Sequence, residues 1–101
     1  MKEITIRKKA LEILIKKGFV CWYPPKVKYK KETDIFGIFD LINIHNKTGV
    51  LFIQLTTLHN IRAREKKVKE FLKKNNLSLF CQVWGWDKKK KDFKIINIYG
   101  G

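Results

Sequence analysis

Two apolar runs, Ile38–Ile44 and Val50–Thr56, flank the polar segment His45-Asn46-Lys47-Thr48-Gly49. No other feature of the chain restricts its fold as much. Asn and Gly between two β-prone runs are turn chemistry, so the pair reads as an antiparallel hairpin. Both runs are nearly continuous in Ile, Leu, Val and Phe instead of alternating with polar residues. Strands of that composition expect cover on both faces. The hairpin therefore belongs at the centre of a sheet with helices packed against it.

The flanking sequence supplies those helices. Ile6, Ala10, Leu11, Leu14 and Ile15 fall at helical spacing within Thr5–Lys17, and Gly18 follows as a stop. Phe19–Tyr23 is a short β-prone run closed by Pro24-Pro25. Lys26–Thr33 is basic and weakly patterned, an exposed strand edge or a loop. A second helix is expected over Asn60–Lys74, with Ile61, Val68, Phe71 and Leu72 as its buried stripe and Asn75-Asn76 as its end. Two more strands are expected at Leu77–Trp86 and Phe93–Tyr99, joined by the lysine-rich turn Asp87–Asp92. The order α-β-β-β-α-β-β predicts one domain over residues 1–101 with an α/β or α+β fold, a mixed sheet flanked by helices.

Charge then narrows the partner. Lys and Arg number 23 against 9 Asp and Glu, a formal net of +14. Such an excess repels itself in a compact fold and suits a polyanion. Nucleic acid, most simply DNA, is the expected partner, because phosphates reward Lys and Arg through counterion release. Lys28, Lys30, Arg62, Arg64, Lys66, Lys67, Lys88, Lys89 and Lys90 are the candidate phosphate contacts. A membrane surface fits less well, since no stretch is both strongly amphipathic and rich in aromatics. Growth at high temperature also enriches Lys, but that trend usually raises Glu too, and Glu is scarce. The start of the chain has no signal-peptide apolar core, and no run approaches membrane-spanning length. Cys21 and Cys81 lie in apolar runs without His or Cys at ligand spacing, as buried free thiols do in a reducing compartment. An intracellular, cytoplasmic protein is expected.

One constellation is suited to chemistry. Asp40 opens the first strand of the hairpin, and Gln54 and Thr56 lie two apart on the second, so their side chains share a face. In a regular hairpin Asp40 meets Gln54. Two oxygen donors there suit Mg²⁺ or Mn²⁺, and such a cation activates water and stabilises a phosphoryl transition state. Each residue also has a plainer reading. Asp40 or Asp34 can cap a turn, Gln54 can make a structural hydrogen bond, and Thr56 is ordinary in a strand. His59 reads first as a solvent-facing loop residue and His45 as a turn residue. Trp84 and Trp86 share a strand face, which means core packing before base stacking.

The order of elements resembles the PD-(D/E)XK nuclease superfamily, which includes archaeal Holliday junction resolvases and many restriction endonucleases. Closer still is the similarity to small phage and bacterial members with the pattern D-L-F-G-x-x-D, V-Q-V-T, A-R-x-x-K and V-W-G-W. The matching segments are Asp34-Ile35-Phe36-Gly37-Ile38-Phe39-Asp40, Ile53-Gln54-Leu55-Thr56, Ala63-Arg64-Glu65-Lys66-Lys67 and Val83-Trp84-Gly85-Trp86. The resemblance implies a restriction-endonuclease-like core and a metal-dependent endonuclease acting on DNA, including branched DNA, as a homodimer. It implies Asp40 as the first metal carboxylate, Gln54 in place of the second acid, and Thr56 in place of the lysine. A neutral amide brings no charge to a metal, and a threonine cannot do the work of an ammonium. Asp34 and Glu12 are therefore candidates for the missing acid, and Lys67, or second Lys66, for the missing cation. The alternatives are a non-catalytic nucleic-acid-binding protein on the same fold, or a basic subunit of a larger complex.

Overall fold

A computed structural model describes residues 3–25 and 34–99. The basic segment Lys26–Thr33, with Lys28 and Lys30, lies outside them. The elements are α1 (Glu3–Lys16), β1 (Val20–Trp22), β2 (Leu41–His45), β3 (Gly49–Thr57), a 3-10 turn (Leu58–Asn60), α2 (Ile61–Lys74), β4 (Phe80–Asp87) and β5 (Asp92–Tyr99). They form an α+β domain with a five-stranded mixed sheet in the order β1-β2-β3-β4-β5. All neighbours are antiparallel except β3 and β4, which run parallel. Helix α2 makes the crossover that a parallel pair requires.

Both helices end where local chemistry stops them. Gly18 has φ +92, its N–H donates to Ile15 O at 3.0 Å, and Phe19 N–H donates to Leu14 O at 3.0 Å. Asn76 (φ +51) repeats the arrangement after α2, with Asn76 N–H on Lys73 O at 3.2 Å and Leu77 N–H on Leu72 O at 2.9 Å. These paired bonds satisfy carbonyls that a helix end leaves open.

The helices cover opposite faces of the sheet. Ile6, Ala10 and Leu14 of α1 bury against Leu41, Ile53, Leu55, Trp84 and Trp86. Ile61, Val68 and Leu72 of α2 bury against Ile38, Phe39, Cys81, Val83 and Ile98. Each fully buried aliphatic side chain contributes about 1.5–3 kcal/mol. At the middle of β3, Ile53, Gln54, Leu55 and Thr56 are all buried, which is the two-sided cover its composition predicts. That cover does not extend to the hairpin's turn, where Ile44 and Val50 are exposed. The expected helical stripe is also one residue too wide, since Ile15 is 63% exposed. Two strands are shorter than expected: β2 starts at Leu41 because residues 35–39 form a turn, and β4 starts at Phe80.

The Trp-Gly-Trp run has a packing explanation. Trp84 and Trp86 point into the α1 side, so Gly85 between them faces α2. A Cβ at Gly85 would lie 2.8 Å from Ile61 Cδ1 and 3.2 Å from its Cβ and Cγ1. Gly85 thus lets the first residue of α2 seat directly on the sheet. Both tryptophans are buried, so neither offers a face to an unpaired base. Among the described residues no helix is long and apolar enough to cross a membrane.

Two outcomes are expected. Gly85→Ala lowers stability by about 1–3 kcal/mol through overpacking, read from the urea midpoint by tryptophan fluorescence, and Ile61→Val in the same chain restores part of it. Burial pushes the Cys81 thiol up to about 11 from an ordinary 9.0. The folded state therefore favours the protonated thiol, a stabilisation fully present below pH 9.0 and lost as pH rises toward about 11. Near pH 8.5, Ellman's reagent should modify Cys81 far more slowly in the folded chain than in urea.

Candidate functional site

The site begins with the turn before β2. Ile35 and Phe39 pair as an antiparallel bridge, with Ile35 N–H on Phe39 O at 2.8 Å and Phe39 N–H on Ile35 O at 2.9 Å. Phe36 (φ +56) and Gly37 (φ +71) both adopt positive φ, as tight hairpin turns demand. Gly37 does so freely, while a left-handed phenylalanine costs about 1–2 kcal/mol. Ring contacts offset that cost. Phe36 lies 6.0 Å from Phe71 and 6.4 Å from Phe52, and Phe39 lies 5.2 Å from Phe52. The consequence is chemical. Asp34 and Asp40 flank the bridged pair, so they stand opposite one another across the turn.

The second pairing is between Asp40 and Gln54. The register that sets Leu41 against Ile53 carries on one step, and Asp40 N–H donates to Ile53 O at 2.9 Å. Asp40 Oδ2 accepts from Leu55 N–H at 2.7 Å and from Gln54 Nε2 at 3.1 Å. Gln54 Nε2 also donates to Leu55 O at 3.2 Å. Two acceptors around Nε2 settle the amide's orientation, since the flipped form sets oxygen against carboxylate. Gln54 Oε1 is then buried with no donor among the described residues, on a side chain only 5% exposed. A buried acceptor without a donor costs about 1–3 kcal/mol, and its usual explanation is an ion, a water or a function.

Asp34, Asp40, Gln54, Leu55, Thr56, Thr57, Ile6 and Arg64 line one cleft of about 240 Å³. The cation brought here from α2 is Arg64. Lys67, expected to fill that place, is exposed on α2 and does not line the cleft. Three residues separate the two, and the first turn of α2 lies nearest the end of β3. Glu12 also stays outside. It is exposed on α1, whose contribution to the cleft is Ile6. Three other cations of α2 pair with its acids. Arg62 pairs with Glu65 at 3.0 Å, Lys69 with Glu65 at 3.1 Å, and Lys66 with Glu70 at 4.0 Å. Hydrogen bonds from Arg62 and Lys69 hold the Glu65 carboxyl below its ordinary range. Arg64 makes no ion pair among the described residues.

Parallel pairing brings further residues to the same end. Thr57 of β3 lies against Trp86 of β4, so the β4–β5 turn follows the strand ends beside the cleft. Thr57 is shared with a second hollow of about 490 Å³ that Leu58, His59, Trp86, Asp87, Lys88 and Lys89 complete. Asp87 Oδ1 accepts from the N–H groups of Lys89 at 3.0 Å and Lys90 at 3.3 Å, which shapes the turn and leaves the lysines exposed. His59 is exposed, as expected of a loop residue. His45 is structural, its ring tilted against Phe19 at 5.1 Å and its Nδ1 accepting from Lys47 N–H. A similar hollow of about 460 Å³, near Phe19, Lys47, Val50, Phe80 and Tyr99, contains no carboxylate in its lining.

The donor set fits a hard cation. Asp34, Asp40 and Gln54 Oε1 are oxygen donors, and Mg²⁺ is commonly held by one or two carboxylates with substrate phosphate and water. Among the described residues no three of His, Cys, Asp and Glu cluster. Two features of the cleft were not foreseen in the sequence: Arg64 as its cation and Thr57 as its bridge to the lysine turn. Helical spacing gave a hint of the first, because Arg64 follows buried Ile61 by three positions. No family model, curated protein or solved structure matches the chain.

The Asp40 bonds predict a stability difference. Asp40→Ala leaves Leu55 N–H without its acceptor and Gln54 Nε2 with Leu55 O alone, and should cost about 1–3 kcal/mol. Asp40→Asn keeps an acceptor oxygen and should cost less, as urea unfolding of the two variants will show.

Proposed function

We propose that the chain is a nucleic-acid phosphodiesterase, a restriction-endonuclease-like nuclease of PD-(D/E)XK type with an altered charge set, acting on DNA with Mg²⁺ or Mn²⁺. The observation that carries this reading is the meeting of Asp34, Asp40 and Gln54, whose Oε1 has no donor among the described residues, in one cleft edged by Arg64. Asp34, Asp40 and Gln54 would hold the cation. When bound, it polarises a phosphate oxygen and makes water more acidic. The protein's own part is orientation. Leu55 N–H and Gln54 Nε2 fix one oxygen of Asp40, and the aromatic cluster fixes the turn that presents Asp34. In the reaction water's oxygen bonds to phosphorus and one P–O ester bond breaks. One proton of that water ends on the departing alkoxide, and the other leaves to solvent. Lys88, Lys89 and Lys90 at the same end of the sheet would hold the neighbouring backbone phosphates.

A second reading has its own support. Gln54 and Thr56 are neutral and buried where a nuclease of this type carries an acid and a lysine. A fold that binds nucleic acid without cutting it would look the same. One experiment separates the two. Wild type and Asp40→Asn are incubated with branched, single-stranded and duplex DNA in Mg²⁺ and in Mn²⁺. Nicking by wild type alone is the expected result. Salt-sensitive binding without any cleavage would leave the binding reading in place of the nuclease. For a protein contacting several phosphates, affinity should fall about a thousandfold between 50 and 200 mM salt. Affinity indifferent to salt would remove both readings.

A further inference from the structure

We infer that Arg64 is the residue that contacts the scissile phosphate, as a fixed charge clamp standing in for a lysine on the strand. The inference rests on the phosphodiester reading of the same cleft. Its evidence is positional. Thr56, at the strand position where the resemblance implies a lysine, is a buried hydroxyl and carries no charge. Arg64 lines the same cleft from the adjoining helix. Arg64 is half-buried there, whereas Arg62, Lys66, Lys67, Lys69, Lys73 and Lys74 of the same helix are exposed, and it makes no ion pair among the described residues.

The chemistry follows from the guanidinium. Two carboxylates, Asp34 and Asp40, share the cleft and repel a phosphodiester anion, so a cation beside them is needed to seat it. A planar fork of N–H donors grips two phosphate oxygens at once, which an ammonium does not. A guanidinium also stays protonated at every working pH. Arg64 therefore stabilises charge on the phosphate and carries no proton, so activating water falls to the carboxylate end of the cleft. Helix α2 thus sets one cation of its first turn, Arg64, on the cleft, while its other cations, Lys67 among them, are exposed to solvent.

The test has a binding arm and a cleavage arm. In the first, inorganic phosphate is titrated into ¹⁵N-labelled protein without metal. Amide shifts at Thr56, Thr57 and Arg64 are expected in wild type and in Lys73→Ala, an exposed cation in the last turn of α2, and their loss in Arg64→Gln, which retains helix propensity. In the second, single-turnover DNA cleavage is measured in Mn²⁺. Arg64→Gln should slow it by about 100-fold or more, the effect of losing one charge-stabilising donor. Lys73→Ala should remain within a few-fold of wild type, and Thr56→Lys added to Arg64→Gln should recover part of the loss. If Arg64→Gln cleaves like wild type while Asp40→Asn is inert, the inference fails and the nuclease reading survives. If wild type never cleaves but the phosphate shifts vanish in Arg64→Gln, the nuclease reading fails and with it the scissile role, leaving Arg64 as a phosphate-binding residue alone. Absence of phosphate shifts in wild type overturns the inference.

Discussion

The register between β2 and β3 is the constraint on which the rest depends. With Leu41 against Ile53, the next pair outward is Asp40 against Gln54, and Asp40 Oδ2 reaches Leu55 N–H at 2.7 Å. A slip of one residue would turn every side chain of the strand to the other face. It would send Gln54 and Thr56 to the α1 side and expose Ile53 and Leu55 to the α2 side. Burial of all four residues from Ile53 to Thr56 makes that slip costly. The hydrophobic pattern thereby holds a polar site in place without touching it chemically.

Around that register the site is assembled from three elements that meet only at one end of the sheet. The turn with left-handed Phe36 folds Asp34 back against Asp40. The seat of Ile61 on Gly85 brings the first turn of α2, and so Arg64, over the end of β3. The parallel pairing of β3 with β4 delivers the lysine turn to the same end. Open α/β sheets present ligand crevices at the carboxyl ends of parallel strands for this reason: chain direction puts the following loops on one side. The strain at Phe36 and the donorless Gln54 Oε1 both lie here, where local cost is usually tied to function.

Much of the fold was legible because burial has a period. The order of elements follows from apolar spacing at Ile6, Ala10 and Leu14, from the hairpin's two runs, and from Ile61, Val68 and Leu72. The hairpin also forecast the meeting of Asp40 with Gln54. Periodicity failed where cover is incomplete. Ile15, Ile44 and Val50 are apolar yet exposed, because no element lies over them among the described residues. It failed again in choosing between Arg64 and Lys67. Both are plausible cations on one helix, and only the tilt with which α2 meets the sheet separates them.

The sequence alone determined the type and order of the elements, the central place of the hairpin, the excess of positive charge and the pairing of Asp40 with Gln54. These follow from local propensity, apolar period and net charge, which are properties of neighbours along the chain. Tertiary structure decided the rest: Asp34 in one cleft with Asp40, Arg64 in that cleft with Lys67 and Glu12 outside it, a Gln54 oxygen buried without a donor among the described residues, and Trp84 and Trp86 committed to the core. Each of these depends on how one element rests on another, through contacts such as Ile61 on Gly85 and Phe36 on Phe71. Such contacts join residues far apart in the chain, so no window of sequence contains them.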